Sequence, residues 1–110
     1  MALGTLEIGL SDSEIQQVQS ILGLFPHIEE VFLFGSRARG DYKRGSDIDL
    51  SIKGEELTRE DLSQIWATFD ASLLPYFVDI VSYSKLKNTA LKEHIDRFGI
   101  LIYRRDCDRT

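Results

Sequence analysis

Apolar residues recur at helical spacing at Ile15, Val18, Ile21, Leu22 and Phe25, after Ser11-x-x-Glu14 and before Pro26. A serine followed three places later by a glutamate satisfies two orphan amides at a helix start, so this segment predicts a first helix that ends before the proline. Val31 to Phe34 is then an unbroken apolar run closed by Gly35, the length and punctuation of a buried strand. From Ser46 to Lys53 the pattern changes to strict alternation, with Ile48, Leu50 and Ile52 on one side and Asp47, Asp49 and Ser51 on the other. That is the pattern of a half-buried strand. The connector between the two strands is about ten residues, and a parallel crossover generally needs a dozen or more. The two strands are therefore expected to be antiparallel neighbours, with room for one helical turn between them.

Thr58-x-x-Asp61 resembles a second cap, and Leu62, Ile65, Trp66, Phe69 and Leu73 mark an amphipathic helix that stops before Pro75. Trp66, Phe69 and Tyr76 fall at positions expected in the core. Tyr76 to Tyr83 reads as a third strand, Leu86 to Arg97 as a helix closed at Gly99, and Ile100 to Tyr103 as a final strand. The order αββαβαβ predicts an α/β fold, a small mixed sheet with helices packed on it. Residues 1–110 make one domain with a polar tail from about 104, without repeat or linker.

Composition narrows the function. The chain has 110 residues, is 43% hydrophobic and carries a formal charge of −5, so it can build a core, and as a whole it repels nucleic acid phosphates. Against that balance, Ser36 to Ser46 holds Arg37, Arg39, Lys43 and Arg44 with only Asp41 opposing them. The single cysteine, Cys107, excludes an intrachain disulfide and fits a reducing, cytoplasmic setting. No apolar run approaches the ~18 residues of a membrane span, and the N-terminus lacks the pattern of a signal peptide.

The cationic stretch runs directly into two aspartates. Asp47 and Asp49 are two apart on a strand, so their carboxylates leave the same face with Cα atoms roughly 6.5 to 7 Å apart. Like charges side by side on a strand are destabilising unless something neutralises them, and Mg²⁺ prefers carboxylate oxygens supplemented by water and phosphate. An isolated D-x-D is also an ordinary solvated polar face. Asp79 adds weight, because it stands inside "FVDIV", where an unpaired carboxylate is costly. If the third strand lies beside the second, Asp79 joins Asp47 and Asp49 in a cluster able to hold two metals about 3.5 to 4 Å apart. A hydrogen bond to a helix terminus or an arginine is the other way to satisfy it. Gly35 permits a turn after the first strand, and Ser36 can cap the following turn and offer N–H and hydroxyl groups to a phosphate. Arg37 and Arg39 are then placed to neutralise a polyphosphate.

Gly35-Ser36, ten intervening residues and Asp47-x-Asp49 resemble the GSX10DXD signature of the DNA polymerase β-like nucleotidyltransferases. The wording "GSRARGDYKRGSDIDL" is most similar to the minimal nucleotidyltransferases of MNT or MntA type, and the likeness runs from about Ser11 to Tyr103. The resemblance implies a polymerase β-like fold in which Asp47, Asp49 and Asp79 are catalytic and bind two Mg²⁺ ions. It implies that Gly35 and Ser36 hold a nucleoside triphosphate, ATP above others, with Arg37, Arg39 and Ser46 in the same nucleotide site. It further implies transfer of AMP to a hydroxyl, a tyrosine of a helical HEPN ribonuclease toxin that this chain would silence as an antitoxin. For so short a chain the acceptor surface is expected to come from such a partner.

A catalytically silent module that neutralises a partner by covering it would keep the same residues. A third reading takes "DIDLS" as the nucleophile motif of haloacid dehalogenase-like phosphatases, but Asp47 follows "KRGS" instead of an apolar strand. "GSRARG" lacks the ending of a P-loop, and the residues after Asp49 do not continue as an EF-hand. His27 and His94 lack metal-ligand spacing and read as surface or core residues. Tyr42 reads as a loop aromatic, and Lys43 and Arg44 as solvated charges.

Overall fold

A computed structural model describes residues 9–40 and 47–105. Tyr42, Lys43, Arg44, Ser46 and Cys107 lie outside the described residues.

The first helix, α1 (Asp12–Leu22), starts at the expected capping box: Glu14 N–H donates to Ser11 Oγ at 3.1 Å, and Ser11 N–H to Glu14 Oε1 at 3.0 Å. It ends at Gly23, three residues before Pro26. Strand β1 (Glu30–Phe34) leads through a four-residue helical turn, α2 (Ser36–Arg39), to β2 (Ile48–Lys53). The expected turn in the connector is present. Helix α3 (Arg59–Asp70) has the second capping box, with Asp61 N–H on Thr58 Oγ1 and Thr58 N–H on Asp61 Oδ2, both at 3.0 Å. Strand β3 (Val78–Ser82), a 3₁₀ turn at Tyr83–Lys85, α4 (Thr89–Phe98) and β4 (Ile100–Arg104) complete the chain.

The four strands form one mixed sheet in the order β3-β2-β1-β4. β1 pairs antiparallel with β2 and with β4, while β2 and β3 are parallel, joined through α3 as a parallel crossover requires. Register follows the sequence alternation: Val31 pairs with Ile52 and Leu33 with Leu50, so β1 and β2 present one continuous apolar face. Ile15, Val18 and Leu22 of α1 and Ile65 and Phe69 of α3 close over that face, and with Ile48 and Ile102 they make the core. On the other face Phe34 pairs with Asp49 and Phe32 with Ser51. The His94 ring of α4 lies against Phe34 there, 6.2 Å between centroids, so α4 covers the β1 side of this face.

Two expected core residues differ from the sequence reading. Phe69 is buried, but Trp66 is 49% exposed and Leu73, expected to extend α3, is 91% exposed. The helix ends at Asp70, so Leu73 lies in the turn beyond it, and Trp66 stands at the margin of the buried stripe formed by Ile65 and Phe69.

Candidate active site

β1 delivers the chain to a corner at Gly35, whose φ of +82° is a conformation that side chains resist. A second constraint is as strong: a Cβ on Gly35 would run into Oδ2 of Asp49. The glycine therefore gives the backbone its turn and gives the aspartate its space. Gly35 N–H donates to Nε2 of His94 at 3.0 Å, which ties the corner to α4. The imidazole is set edge-on to Phe34 and lies 5.3 Å from the Phe98 ring. This bond requires His94 to be unprotonated at Nε2.

The register places the acidic residues. Phe34 pairs with Asp49 and Asp49 with Asp79, so the Gly35 corner, Asp49 and Asp79 stand side by side across three adjacent strands. Asp47, two residues before Asp49, opens toward the same side. It is exposed and lines a cavity of about 530 Å³ together with Asp79. The carboxyl of Asp49 is pushed up from its ordinary 3.8 to about 6, mainly because it is partly buried. The charges of Asp79 and Asp47 push in the same direction, and Arg37 opposes them.

Among the described residues no three carboxylates or imidazoles are already closed into a metal cage. In kind the donors suit Mg²⁺, since carboxylate oxygens are hard ligands and the repulsion that Asp79 and Asp47 exert on Asp49 is what a cation would relieve.

The cations of the corner divide. Arg37 is the buried residue of α2, 2% exposed, with its guanidinium carbon 4.7 Å from the ring centroid of Tyr76. The Tyr76 hydroxyl in turn donates to the Glu14 carboxylate at 3.3 and 3.4 Å. The charge of Arg37 also acts on Asp49, lowering its carboxyl. Arg39 is exposed at the end of the turn, and Ser36 is half-buried as its first residue. Ser46 is outside the described residues.

His94 escaped the sequence reading because nothing in local spacing links it to a glycine 59 positions away. His27, also passed over, donates from Nδ1–H to Oδ2 of Asp61 at 2.7 Å, far from the acidic group. It lines a second cavity with Glu55, Glu56 and Arg105, near the start of β1.

The sequence profile of the family described as "Polymerase beta, Nucleotidyltransferase" matches residues 16–108. The chain belongs to this family. The "Probable protein adenylyltransferase MntA" of Haemophilus influenzae is 33% identical over 82 residues, 71% of this chain and 69% of the relative. Of solved structures, a toxin-antitoxin with AMP-PNP matches with a TM-score of 0.69 and 24% identity, over 83% of this chain and 73% of that one. A tri-AMPylated Shewanella oneidensis HEPN toxin in complex with MNT antitoxin matches at 0.63 and 20% identity, over 83% and 70%. These likenesses show the fold, and with the family they bear out the expectation of an α/β nucleotidyltransferase enzyme of MntA type. Among the described residues no helix is long and apolar enough to cross a membrane.

Proposed function

We propose that this nucleotidyltransferase moves AMP from ATP, in a Mg²⁺-dependent reaction, to a tyrosine hydroxyl of a HEPN-type partner toxin, and so acts as a cytoplasmic antitoxin. The observation that carries the reading is the register that sets Asp49 between the Gly35 corner and Asp79. The choice of AMP and of a HEPN partner is supported by what the relatives are named for.

In this reading Gly35 and Ser36 hold the β- and γ-phosphates, with Arg39 and Ser46 adding to the same site. Arg37 moderates the charge on Asp49 from below. Asp47, Asp49 and Asp79 would hold Mg²⁺, which when bound neutralises phosphate oxygens and lowers the acceptor's pKa. The acceptor oxygen bonds to the α-phosphorus while the bond to the bridging oxygen breaks, and pyrophosphate leaves toward Gly35 and Ser36. Asp79, on the opposite side of Asp49, takes the proton from the hydroxyl. Most of the acceleration is positioning and charge stabilisation by preformed groups.

Incubation with Mg-ATP and a HEPN-type protein from the same organism is expected to raise the partner's intact mass by whole AMP units. Asp47→Asn and Asp49→Asn are expected to reduce this to background and to leave the toxin active. An unchanged partner mass with the wild-type chain refutes transfer. Neutralisation that survives both substitutions indicates a binding module instead.

A further inference from the structure

We propose that the groove between the end of α3 and the start of β3, built on Trp66 and Phe77 and rimmed by Asp70, is the docking surface for the acceptor polypeptide, and that it selects a segment combining apolar anchors with basic side chains. The inference rests on the nucleotidyl transfer proposed above for the direction of approach, while the surface itself is read from exposure and charge.

Direction comes from strand order. An in-line displacement places the entering hydroxyl and the departing pyrophosphate on opposite sides of the reacting phosphorus. With the leaving phosphates at the Gly35 corner on β1 and the reacting centre at Asp49 on β2, the acceptor enters from the β3 side, past Asp79. The cavity of about 530 Å³ that Asp47 and Asp79 line lies there, and Trp66, Tyr76 and Phe77 are among its walls.

Its apolar content needs an explanation. Phe77 is 76% exposed, Trp66 49% and Leu73 91%, although each has a buried neighbour in the chain that shows the core was within reach. Scattered exposed apolar residues such as Leu73 are normal, but Trp66 and Phe77 line the same cavity. Grouped apolar side chains next to a polar rim mark interaction surfaces, and tryptophan is prominent among residues that dominate binding energy. A nucleobase would cover one ring face. Two large side chains, Trp66 from a helix and Phe77 from a strand entry, call for a larger occupant.

Its charge selects the occupant. The described residues lining the cavity include three acids, Asp47, Asp70 and Asp79, and no lysine or arginine. Two of these belong to the proposed metal set, but Asp70 does not. Asp70 is the last residue of α3, where the helix dipole disfavours a negative charge, and the last turn contains no basic residue. Local helix stability would favour the opposite sign. An acid retained there is well placed to meet a cationic partner segment.

The test uses the full chain, Mg-ATP, and the HEPN-type protein from the same organism as the probe. Trp66→Ala/Phe77→Ala removes exposed surface, and Asp70→Lys reverses the rim charge while relieving the helix terminus. The expected result is a loss of partner affinity of at least tenfold for the first and severalfold for the second. Mg-ATP affinity should be unchanged in both, with a melting temperature for Asp70→Lys no lower than wild type. Partner affinity equal to wild type in both variants overturns the proposal, as does a wild-type chain that does not bind the partner. Mg-ATP affinity lost together with Trp66 and Phe77 also overturns it and assigns the groove to the nucleobase. Wild-type binding without any mass change in the partner, but sensitive to both variants, refutes the transfer reaction and upholds the docking surface.

Discussion

Replacing Asp49 by asparagine should abolish nucleotidyl transfer and at the same time stabilise the metal-free protein. In the folded chain this carboxyl titrates at about 6, against 3.8 ordinarily. The folded state therefore binds more protons than the unfolded state between those two values, and stability falls as pH rises through that window. Above pH 6 the full cost of holding the charge is present, and below 3.8 none of it is. A shift of this size corresponds to about 3 kcal/mol at 1.36 kcal/mol per unit. Because the carboxyl is only partly buried, solvent screening reduces this to about 1–2 kcal/mol. Asparagine keeps the shape beside Gly35 without the charge, so at pH 8 in EDTA Asp49→Asn should melt about 5 °C or more above wild type. At acid pH the two curves should converge. Added Mg²⁺ should raise the wild type selectively and narrow the gap, since a ligand that binds only the native state stabilises it. Melting curves from about pH 3.5 to 8 with and without Mg²⁺ measure all of this. An asparagine variant no more stable than wild type at pH 8, or a gain that does not vary with pH, would refute the electrostatic account of the site.

Three further outcomes follow from the same geometry. Gly35→Ala meets both the positive φ and the Asp49 carboxylate, and should lose Mg-ATP binding, as measured by titration, with a stability cost of about 1–3 kcal/mol. His94→Ala leaves the Gly35 amide without its acceptor, a loss of about 1–3 kcal/mol if the amide stays buried, and should raise the KM for ATP more than it lowers kcat. His27, held above its ordinary pKa first by its hydrogen bond to Asp61, stabilises the fold fully below pH 6.5 and loses this as pH rises through its folded value. Urea midpoints of wild type minus His27→Gln should therefore decline from acid toward neutral and alkaline pH, and a flat difference would argue against the pairing.

The parts of the site legible in the sequence were those encoded by short-range pattern. Strict alternation from Ile48 to Lys53 fixes which face carries Asp49, and the length of the connector makes β1 and β2 antiparallel. The intervening helix then allows β3 to lie parallel to β2, which brings Asp79 opposite Asp49. His94 was not legible, because its bond to Gly35 depends on how α4 crosses the sheet and on no local spacing. The exposure of Trp66 is hidden from the sequence for another reason. Helical periodicity says which way a side chain points, but not how wide the surface beneath the helix is, and α3 ends before Leu73 can join its stripe.

Arg37 shows that residue type alone does not say how a charge is held. An arginine next to a glycine-serine turn suggests a phosphate ligand, yet its long stem and planar head also suit stacking on an aromatic ring, and Tyr76 provides one. Tyr76 comes from the segment entering β3, and its hydroxyl reaches Glu14 at the start of α1. The arginine therefore links the first and third strands' ends beneath the acidic group. From that position it lowers the Asp49 carboxyl against burial and two like charges, without neutralising it. A fully paired Asp49 would be a poor metal ligand, and an unopposed one would hold its proton still more tightly. The buried cation sets the carboxylate between these limits, so in the proposed reaction the positive charge of Arg37 would serve the metal side.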